Sequence, residues 1–283
     1  MIMRIAGFAR PLPLLTNAAA LVLVLWIAIA LVGPLVAPYS EAAFAHDDSF
    51  LPPGTAGLLG SDTLGRDILS RLLFGARRTL ALSFLAATIA MTAGVAFGFT
   101  AALLQGKVDF VLSRLDDTAL SLPTTMLALV VISGLGISTA VLVITVGLIE
   151  ATRVFRVARA IATDICSAEY IDVARVRGEH AGWIIFREIL PNAISPLFVE
   201  GGIRFTYSML LLSALSFLGL GIQPPEADWG AMVRENMAGL LLGSTAPLIP
   251  AAAIASVTIS VNVIMDSIIT RNRIEYFEHL RNT

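Results

Sequence analysis

Uncharged stretches long enough to cross a lipid bilayer alternate along this chain with shorter polar segments. A helical span requires about 20 consecutive apolar residues. Five stretches meet that requirement: residues 11–40, 79–106, 118–149, 205–225 and 237–265. The pattern therefore predicts an all-α membrane protein.

The third apolar stretch, 118–149, is too long for one comfortable span. It contains Ser-Gly-Leu-Gly at 133–136, which is typical of a tight turn between two helices. Each half is then short, so we expect its helix to run on to Asp117 at one end and to Val154 at the other. This division predicts six spans; a count of five remains the alternative.

The first apolar stretch follows Arg4 and Arg10, as the core of a secretory signal would. It is longer than the 7 to 15 residues of such a core, and residues 33–38 offer no good small-x-small cleavage site. We therefore expect it to stay attached as a membrane anchor.

The distribution of Lys and Arg predicts the orientation, because cytoplasmic segments carry an excess of both. Six spans with a cytoplasmic N-terminus place thirteen of these residues inside and five outside. The inner set is Arg4, Arg10, Lys107, Arg114, Arg153, Arg156, Arg159, Arg175, Arg177, Arg187, Arg271, Arg273 and Arg281. The outer set is Arg66, Arg71, Arg77, Arg78 and Arg234. Both termini are predicted to be cytoplasmic.

Four of the outer arginines precede the second span and require a local explanation. Residues 61–74 predict a short amphipathic helix lying in the membrane interface, because leucine and isoleucine recur on one face. Its opposite face would carry Arg66, Asp67, Ser70 and Arg71, with Ser61 or Asp62 as the N-cap. An ordinary amphipathic linker is the alternative.

The longest polar interruption, 153–192, is predicted to be cytoplasmic. It contains a short helix over 169–177 that Gly178 can end in the left-handed conformation. A second short helix over 183–190 would end at Pro191. Two such helices form a compact knob that can transmit force from a partner to the spans. A solvated connector on the bilayer surface is the alternative.

Composition narrows the class of protein further. Charged residues make up 14% of the chain, against roughly 25% in ordinary soluble domains, which argues against a soluble enzyme. The net charge of -2 gives no overall attraction to nucleic acid. Cys166 and three scattered histidines show no metal-ligand spacing. Lys107 follows Gly106, but Ala101 stands where a P-loop requires its first glycine, and no HExxH or GxSxG motif is present.

Three separated motifs resemble one family of transporters. They are Glu169-Tyr170-Ile171 with Ala174-Arg175, Gly178 and the run 185–192; the segment 59–72; and the segment 216–225 with 228–232. The first is similar to the cytoplasmic EAA loop of binding-protein-dependent ABC importer permeases. All three resemble the C-type subunit of the dipeptide, oligopeptide and nickel group, and together they cover nearly the whole chain.

The resemblance implies a type I ABC importer permease fold with six transmembrane helices and a cytoplasmic coupling helix. It implies a non-catalytic subunit in the bacterial inner membrane that binds no cofactor itself. Its partners would be a homologous B-type permease subunit, two cytoplasmic ATPase subunits that bind ATP and Mg, and an extracytoplasmic solute-binding protein. Peptides are the default substrate of the group, while nickel chelates, glutathione and other peptide-like solutes remain open.

The resemblance also implies roles for individual residues of this chain. Those expected on or beside the ATPase contact are Glu169, Tyr170, Asp172, Ala174, Arg175 and Gly178, with Pro191 setting the return to the membrane. The extracytoplasmic motif residues are Gly65, Arg66, Asp67, Arg71, Pro224, Trp229 and Gly230. The chain departs from the family where Asp172-Val173-Ala174 stands in place of Glu-Ala-Ala, and where Glu188 replaces a common histidine.

We expect four regions along the chain: a cytoplasmic N-terminus with a first anchor (1–40), an extracytoplasmic segment with the interfacial helix (41–76), the importer transmembrane core (77–270) and a cytoplasmic tail (271–283). The alternative function is a secondary carrier or channel acting without ATPases, which would normally place paired ionisable residues in mid-span; the apolar stretches of this chain are expected to contain almost none. A membrane enzyme is disfavoured because no nucleophile and base pair can be assembled.

Three further features each allow two interpretations. Gly94 and Gly98 form a GxxxG pair that favours internal helix packing over a subunit interface. Glu200 and Arg204, four residues apart, form either a local structural pair or part of the transport pathway. Trp229 is either an interfacial anchor or a contact for the binding protein.

Overall fold

The computed structural model describes residues 13–55 and 57–282, and the side chains of 14–55 and 57–271. Arg4 and Arg10, and the side chains of Arg273 and Arg281, lie outside the described residues. Helices dominate the described chain, and its only β-type contacts are two isolated bridges. The α-helices are α1 Pro13–Val36, α2 Ile68–Leu104, α3 Gly106–Leu120, α4 Thr124–Leu135, α5 Thr139–Cys166, α6 Glu169–Val176, α7 Ala181–Ile184, α8 Leu190–Phe217, α9 Trp229–Asn236 and α10 Leu248–Asn282. A π-helix, Ile185–Ile189, and a 3-10 helix, Met237–Leu242, complete the set.

The chain divides into two compact units. The terminal unit comprises Met1–Ala81 and Ser216–Thr283, and the central unit comprises Leu82–Leu215. The unit boundaries fall within α2 and near the end of α8. They differ from the four regions expected along the chain, which follow membrane sidedness rather than compactness.

Three helices of the described chain are long and apolar enough to cross a membrane: Leu14–Val36, Ile68–Leu104 and Leu248–Arg271. A fourth span results if α3 and α4, which are bent by 92°, cross together. The expected six spans are therefore not confirmed. Helices α5 and α8 have 28 residues each, about 42 Å of helix, but the ionisable residues in their middle lower their hydropathy.

The predicted turn within the third apolar stretch is confirmed. Helix α4 ends at Leu135, and Gly136 adopts a φ of +89° that glycine tolerates best. Helix α5 then begins at Thr139, where the Ser138 hydroxyl accepts a hydrogen bond from the Val141 N–H at 3.2 Å. The expected extension of this helix to Val154 is also confirmed, and α5 continues beyond it to Cys166.

The expected helix running from Asp117 into the third apolar stretch is wrong. Helix α3 ends at Leu120 and α4 starts at Thr124, with the 92° bend between them. Pro123 explains the break, since it has no N–H to donate, and its extended conformation (ψ 127°) precedes the first residue of α4.

In the central unit, α2 packs closely against α5 through the two glycines of the GxxxG pair. A Cβ atom at Gly94 would overlap the Val154 side chain, and one at Gly98 would lie 2.8 Å from the Phe155 carbonyl oxygen. Only glycine lets the two backbones approach this far. The prediction of internal packing for this pair is confirmed.

In the terminal unit, the first helix packs along the last one. The Trp26 indole N–H donates a hydrogen bond to the Ser256 hydroxyl at 2.8 Å, and the Trp26 ring meets the edge of Trp229 with ring centroids 4.8 Å apart. Trp229 is completely buried and donates its indole N–H to the Leu72 carbonyl at 3.1 Å. Both sequence interpretations of Trp229 are therefore wrong, because the side chain belongs to the interior of this unit.

Candidate functional site

The short helix predicted before Gly178 is present as α6. Gly178 has a φ of +78°, and its N–H and that of Glu179 donate to the carbonyls of Arg175 and Ala174 at 3.0 and 3.2 Å. These bonds satisfy carbonyl groups that the last turn of a helix leaves unpaired. The predicted end of this helix at a left-handed glycine is confirmed.

Helix α6 has one buried and one exposed face. Ile171 and Ala174 are 0% and 3% exposed and pack in a cluster with buried residues of α2, α5, α7 and α8. Tyr170, Val173 and Val176 point outward, with Val176 90% exposed.

The six residues expected at the ATPase contact therefore separate into two groups. Glu169, Tyr170, Asp172, Arg175 and Gly178 are exposed, whereas Ala174 is packed inside. Sequence reasoning missed Val173 and Val176; the available signal was an apolar pair three residues apart on a helix otherwise rich in charge.

The predicted end of the second short helix at Pro191 is wrong. Helix α7 starts with the His180 imidazole accepting a hydrogen bond from the Trp183 N–H at 2.9 Å. The chain then forms the π-helix Ile185–Ile189 and continues through Pro191 into α8. The Leu190 N–H donates to the Ile185 carbonyl, five residues back. A widened turn of this kind offers a proline more room than a regular α-helix.

The helix expected over 61–74 begins only at Ile68, where α2 starts. Asp67, rather than Ser61 or Asp62, caps it: its carboxylate accepts hydrogen bonds from the N–H and hydroxyl of Ser70 at 2.8 and 2.6 Å. Asp62 instead closes a local turn by accepting the Leu64 and Arg66 N–H groups at 2.8 and 2.9 Å. Side chains that bond nearby backbone in this way compete with helix formation.

The polar face predicted for this segment is buried. Arg66 and Arg71 are 4% and 0% exposed. Arg66 pairs with Asp62 and with Glu235, both at 2.6 Å, and Arg71 pairs with Glu235 at 2.9 Å. We call Asp62, Arg66, Arg71 and Glu235 the buried ion cluster; its two positive and two negative charges sum to zero.

The buried ion cluster shows why arginines can collect before the second span. Two of the four are neutralised inside the protein, and a third, Arg78, pairs with Glu41. Glu41 also accepts the Ala227 N–H at 2.8 Å. Burial alone would raise the pKa of Glu41, but the bonds from Arg78 and Ala227 outweigh it and leave this pKa below its usual value.

The remaining extracytoplasmic motif residues belong to the same unit. Asp228 caps α9 by accepting the Ala231 N–H at 3.1 Å and also accepts the Thr79 hydroxyl at 2.9 Å. Gly230 is buried beside it, and Pro224 is exposed. Gly65 has a φ of +72° within the turn that Asp62 closes.

The predicted Glu200 and Arg204 pair is confirmed, with an N to O distance of 2.8 Å. Arg204 also binds Glu150 at 2.7 Å, and Glu150 binds Arg153 at 2.5 Å. Sequence reasoning missed Glu150 because it lies 54 residues from Arg204.

Residues 94–273 of this chain match the family described as the binding-protein-dependent transport system inner membrane component. The chain belongs to this family of transport permeases. The match includes α6 with its exposed face, the π-helix and the paired charges of α5 and α8. The identification as an ABC importer permease, made above from the three motifs, is confirmed.

Individual relatives of this permease cover most of its length. It is 33% identical to the glutathione transport system permease protein GsiD of Pectobacterium atrosepticum over 252 residues, 89% of this chain and 84% of that protein. It is 31% identical over 243 residues to the dipeptide transport system permease protein DppC of Alkalihalophilus pseudofirmus, 86% and 80%. It is 34% identical over 212 residues to the di/tripeptide transport system permease protein DppC of Pseudomonas aeruginosa, 73% and 70%.

Proposed function

We propose that this permease forms half of the translocation pathway of an ATP-driven importer for peptides or peptide-like solutes, delivered by an extracytoplasmic solute-binding protein. The observation that carries the proposal is membership of the family together with the exposed face of α6. The substrate class rests on the relatives, whose names specify glutathione, dipeptides and di/tripeptides. The selection among these solutes resides mostly in the binding protein.

In this proposal, α6 is the coupling helix that docks on one of two partner ATPase subunits. Isolated exposed apolar residues are ordinary, but three on an eight-residue helix favour a protein contact. Glu169, Asp172 and Arg175 add charge beside them. Since Ile171 and Ala174 hold α6 to the central unit, a push on the exposed face moves the attached helices with it.

The proposed topology has six spans and two cytoplasmic termini in the inner membrane. Helices α5 and α8 are the two additional spans, and the pairing of their charges lowers the cost of placing them in a bilayer. A homologous B-type permease subunit completes the pathway, and ATP with Mg is bound and hydrolysed by the ATPase subunits. The first helix is the anchor outside the core 77–270, and the tail from 271 is cytoplasmic.

One observation favours a second candidate function. The linked charges of Glu150, Arg153, Glu200 and Arg204 lie in the middle of two long helices, where secondary carriers place their ion-coupling residues. A carrier would move solute without ATPase partners. Reconstitution with and without the ATPase subunits therefore distinguishes a carrier from an importer.

The test is co-expression with candidate partner permease and ATPase subunits, followed by reconstitution and measurement of ATPase activity stimulated by the loaded binding protein. We expect Gly178→Pro to abolish the stimulation in a complex that still assembles, because proline cannot adopt a φ of +78°. The matched control is Gly243→Pro, which changes another left-handed glycine (φ +76°) at the end of a helix. Solute uptake by the purified chain alone would contradict the importer proposal and favour a secondary carrier.

A further inference from the structure

The middle of helices α5 and α8 carries a linear chain of four charges. Glu200 pairs with Arg204, Arg204 with Glu150, and Glu150 with Arg153. The first three are almost completely buried, whereas the Arg153 side chain is 38% exposed. The chain of charges therefore has one exposed end, and that end is a guanidinium.

Arg153 retains hydrogen-bonding capacity at this exposed end. A guanidinium has five N–H donors, and the described residues accept bonds from two of its nitrogens, at Glu150 and, at a longer 3.3 Å, at the Thr124 hydroxyl. Glu150 divides its carboxylate between Arg153 and Arg204, so Arg153 has only part of a counter-charge. The structure places Arg153 within helix α5 rather than in the cytoplasmic segment expected from residue 153 onwards. A partly exposed guanidinium within a span faces water or protein rather than lipid.

A cavity of about 320 Å³ lies beside Arg153 in the angle of the bent pair α3 and α4, against α5. Its wall is mostly leucine, isoleucine and valine, and Thr124, Thr145, Thr152 and Arg153 are its polar members. An apolar cavity with a few convergent polar groups is the usual form of a small-ligand site, and its volume suits a small ligand.

This arrangement fits a ligand in which a carboxylate lies next to an apolar group. A guanidinium binds a carboxylate through two parallel hydrogen bonds, and the leucine-rich wall accepts an aliphatic side chain. We propose that Arg153 binds the C-terminal carboxylate of a short peptide in transit while the cavity holds the adjacent apolar side chain. Glu150 is a positioning residue that orients the guanidinium. The inference rests on the proposed function for its substrate class.

The test uses the assembled importer in nanodiscs and the dipeptide alanyl-photoleucine as the probe. Ultraviolet labelling followed by peptide mapping should place the label within residues 119–153, in competition with unlabelled Ala-Leu. We expect Arg153→Gln to reduce labelling about tenfold, the loss of one charge-assisted contact. The C-terminal amide of the probe should show a similar reduction on the unaltered protein, which keeps the test decisive should Arg153→Gln fail to assemble.

Two variants separate a binding role from a structural one. Arg153→Lys keeps the charge but loses the planar fork, so its labelling should lie between that of the wild type and that of Arg153→Gln. Arg159→Gln is the matched control, because Arg159 lies on the same helix, is 40% exposed and pairs with Asp109 at 2.5 Å outside this cavity. It should leave labelling unchanged.

Three outcomes would overturn the inference: labelling elsewhere in the chain, equal labelling of the acid and the amide, or competition by oleate but not by Ala-Leu, which would make the cavity a lipid site. Failure of the proposed function gives a different result. If the proposed function is wrong, the wild-type complex shows no binding-protein-dependent uptake of Ala-Leu, whatever the labelling shows.

Discussion

The buried ion cluster and helix α6 both contain family-motif residues, yet the structure places their charged side chains oppositely. The charges of the cluster face each other inside the terminal unit, and Arg71 is fully buried. The charges of α6 face outward around Val173 and Val176. Motif residues of one permease therefore serve two purposes: those of the cluster hold the terminal unit together, and those of α6 are available to a partner.

The largest effect on stability is expected from Arg71→Ala, which removes a fully buried member of the cluster. The change leaves Glu235 and Asp62 buried with one guanidinium between them, and removing one partner of a buried pair costs about 3–5 kcal/mol. We expect a large fall in the unfolding temperature of the purified chain and a reduced yield of folded protein. The exposed Arg77→Ala on the same helix is the control and should change neither. An unaltered unfolding temperature for Arg71→Ala would show that the cluster contributes nothing to folding.

A smaller effect on stability is expected at the end of α6. Gly178→Ala forces a residue with a Cβ into the left-handed region, at a cost of about 1–2 kcal/mol. Among the described residues, no atom other than those of its chain neighbours lies within 4 Å of the added methyl group, so the variant measures backbone strain. Gly134→Ala, which also meets open space but inside α4, should be neutral or slightly stabilising. Equal unfolding temperatures for the two variants would contradict the assigned conformation.

The ion pair of Glu41 with Arg78 should make the stability of the terminal unit depend on pH in the acid range. Because the pKa of Glu41 is lowered in the folded protein from 4.5, its contribution is complete above pH 4.5 and is lost as the pH falls through the lower folded value. Partly exposed pairs contribute about 0.5 kcal/mol. Unfolding measured between pH 6 and pH 3 should show Glu41→Gln less sensitive to acid than the wild type. Identical pH profiles would argue against the pair.

Substitution of Val176 should have the smallest effect on stability but a large effect on the stimulated ATPase activity. Val176 is 90% exposed, so Val176→Asp should change the free energy of unfolding by less than about 0.5 kcal/mol. In the assembled importer it should reduce stimulated ATPase activity about tenfold, as a charge placed in an apolar contact does. Val176→Ala should give an intermediate loss. Full activity of Val176→Asp would remove this residue from the proposed contact.

Local backbone features of this permease could be predicted from its sequence. The glycine-rich break at 133–136 and the left-handed end at Gly178 depend on residues next to one another, and both are present. Pro123 was an equally local signal within an apolar stretch, and it explains the bend that the six-span count did not include. Pro191 shows the converse, since the π-helix carries the chain through it.

The burial of these charged side chains could not be predicted from the sequence, because the residues that pair with them come from distant segments of the chain. Glu235 lies 169 residues from Arg66, and nothing near Arg66 indicates whether its guanidinium will meet water or a carboxylate. The same applies to Glu150, which joins Arg204 only when α5 and α8 pack together. An amphipathic pattern over 61–74 therefore identified the polar residues correctly and assigned them to the wrong environment.

The π-helix Ile185–Ile189 is equivalent to one extra residue inserted in an otherwise regular helix. One residue corresponds to about 100° of rotation around a helix axis, so this insertion sets the angular phase of everything that follows it in α8, including Glu200 and Arg204. A one-residue deletion at this point would leave the length of the helix almost unchanged and turn both charges away from Glu150. A natural variant with such a deletion would be expected to carry compensating changes at those positions.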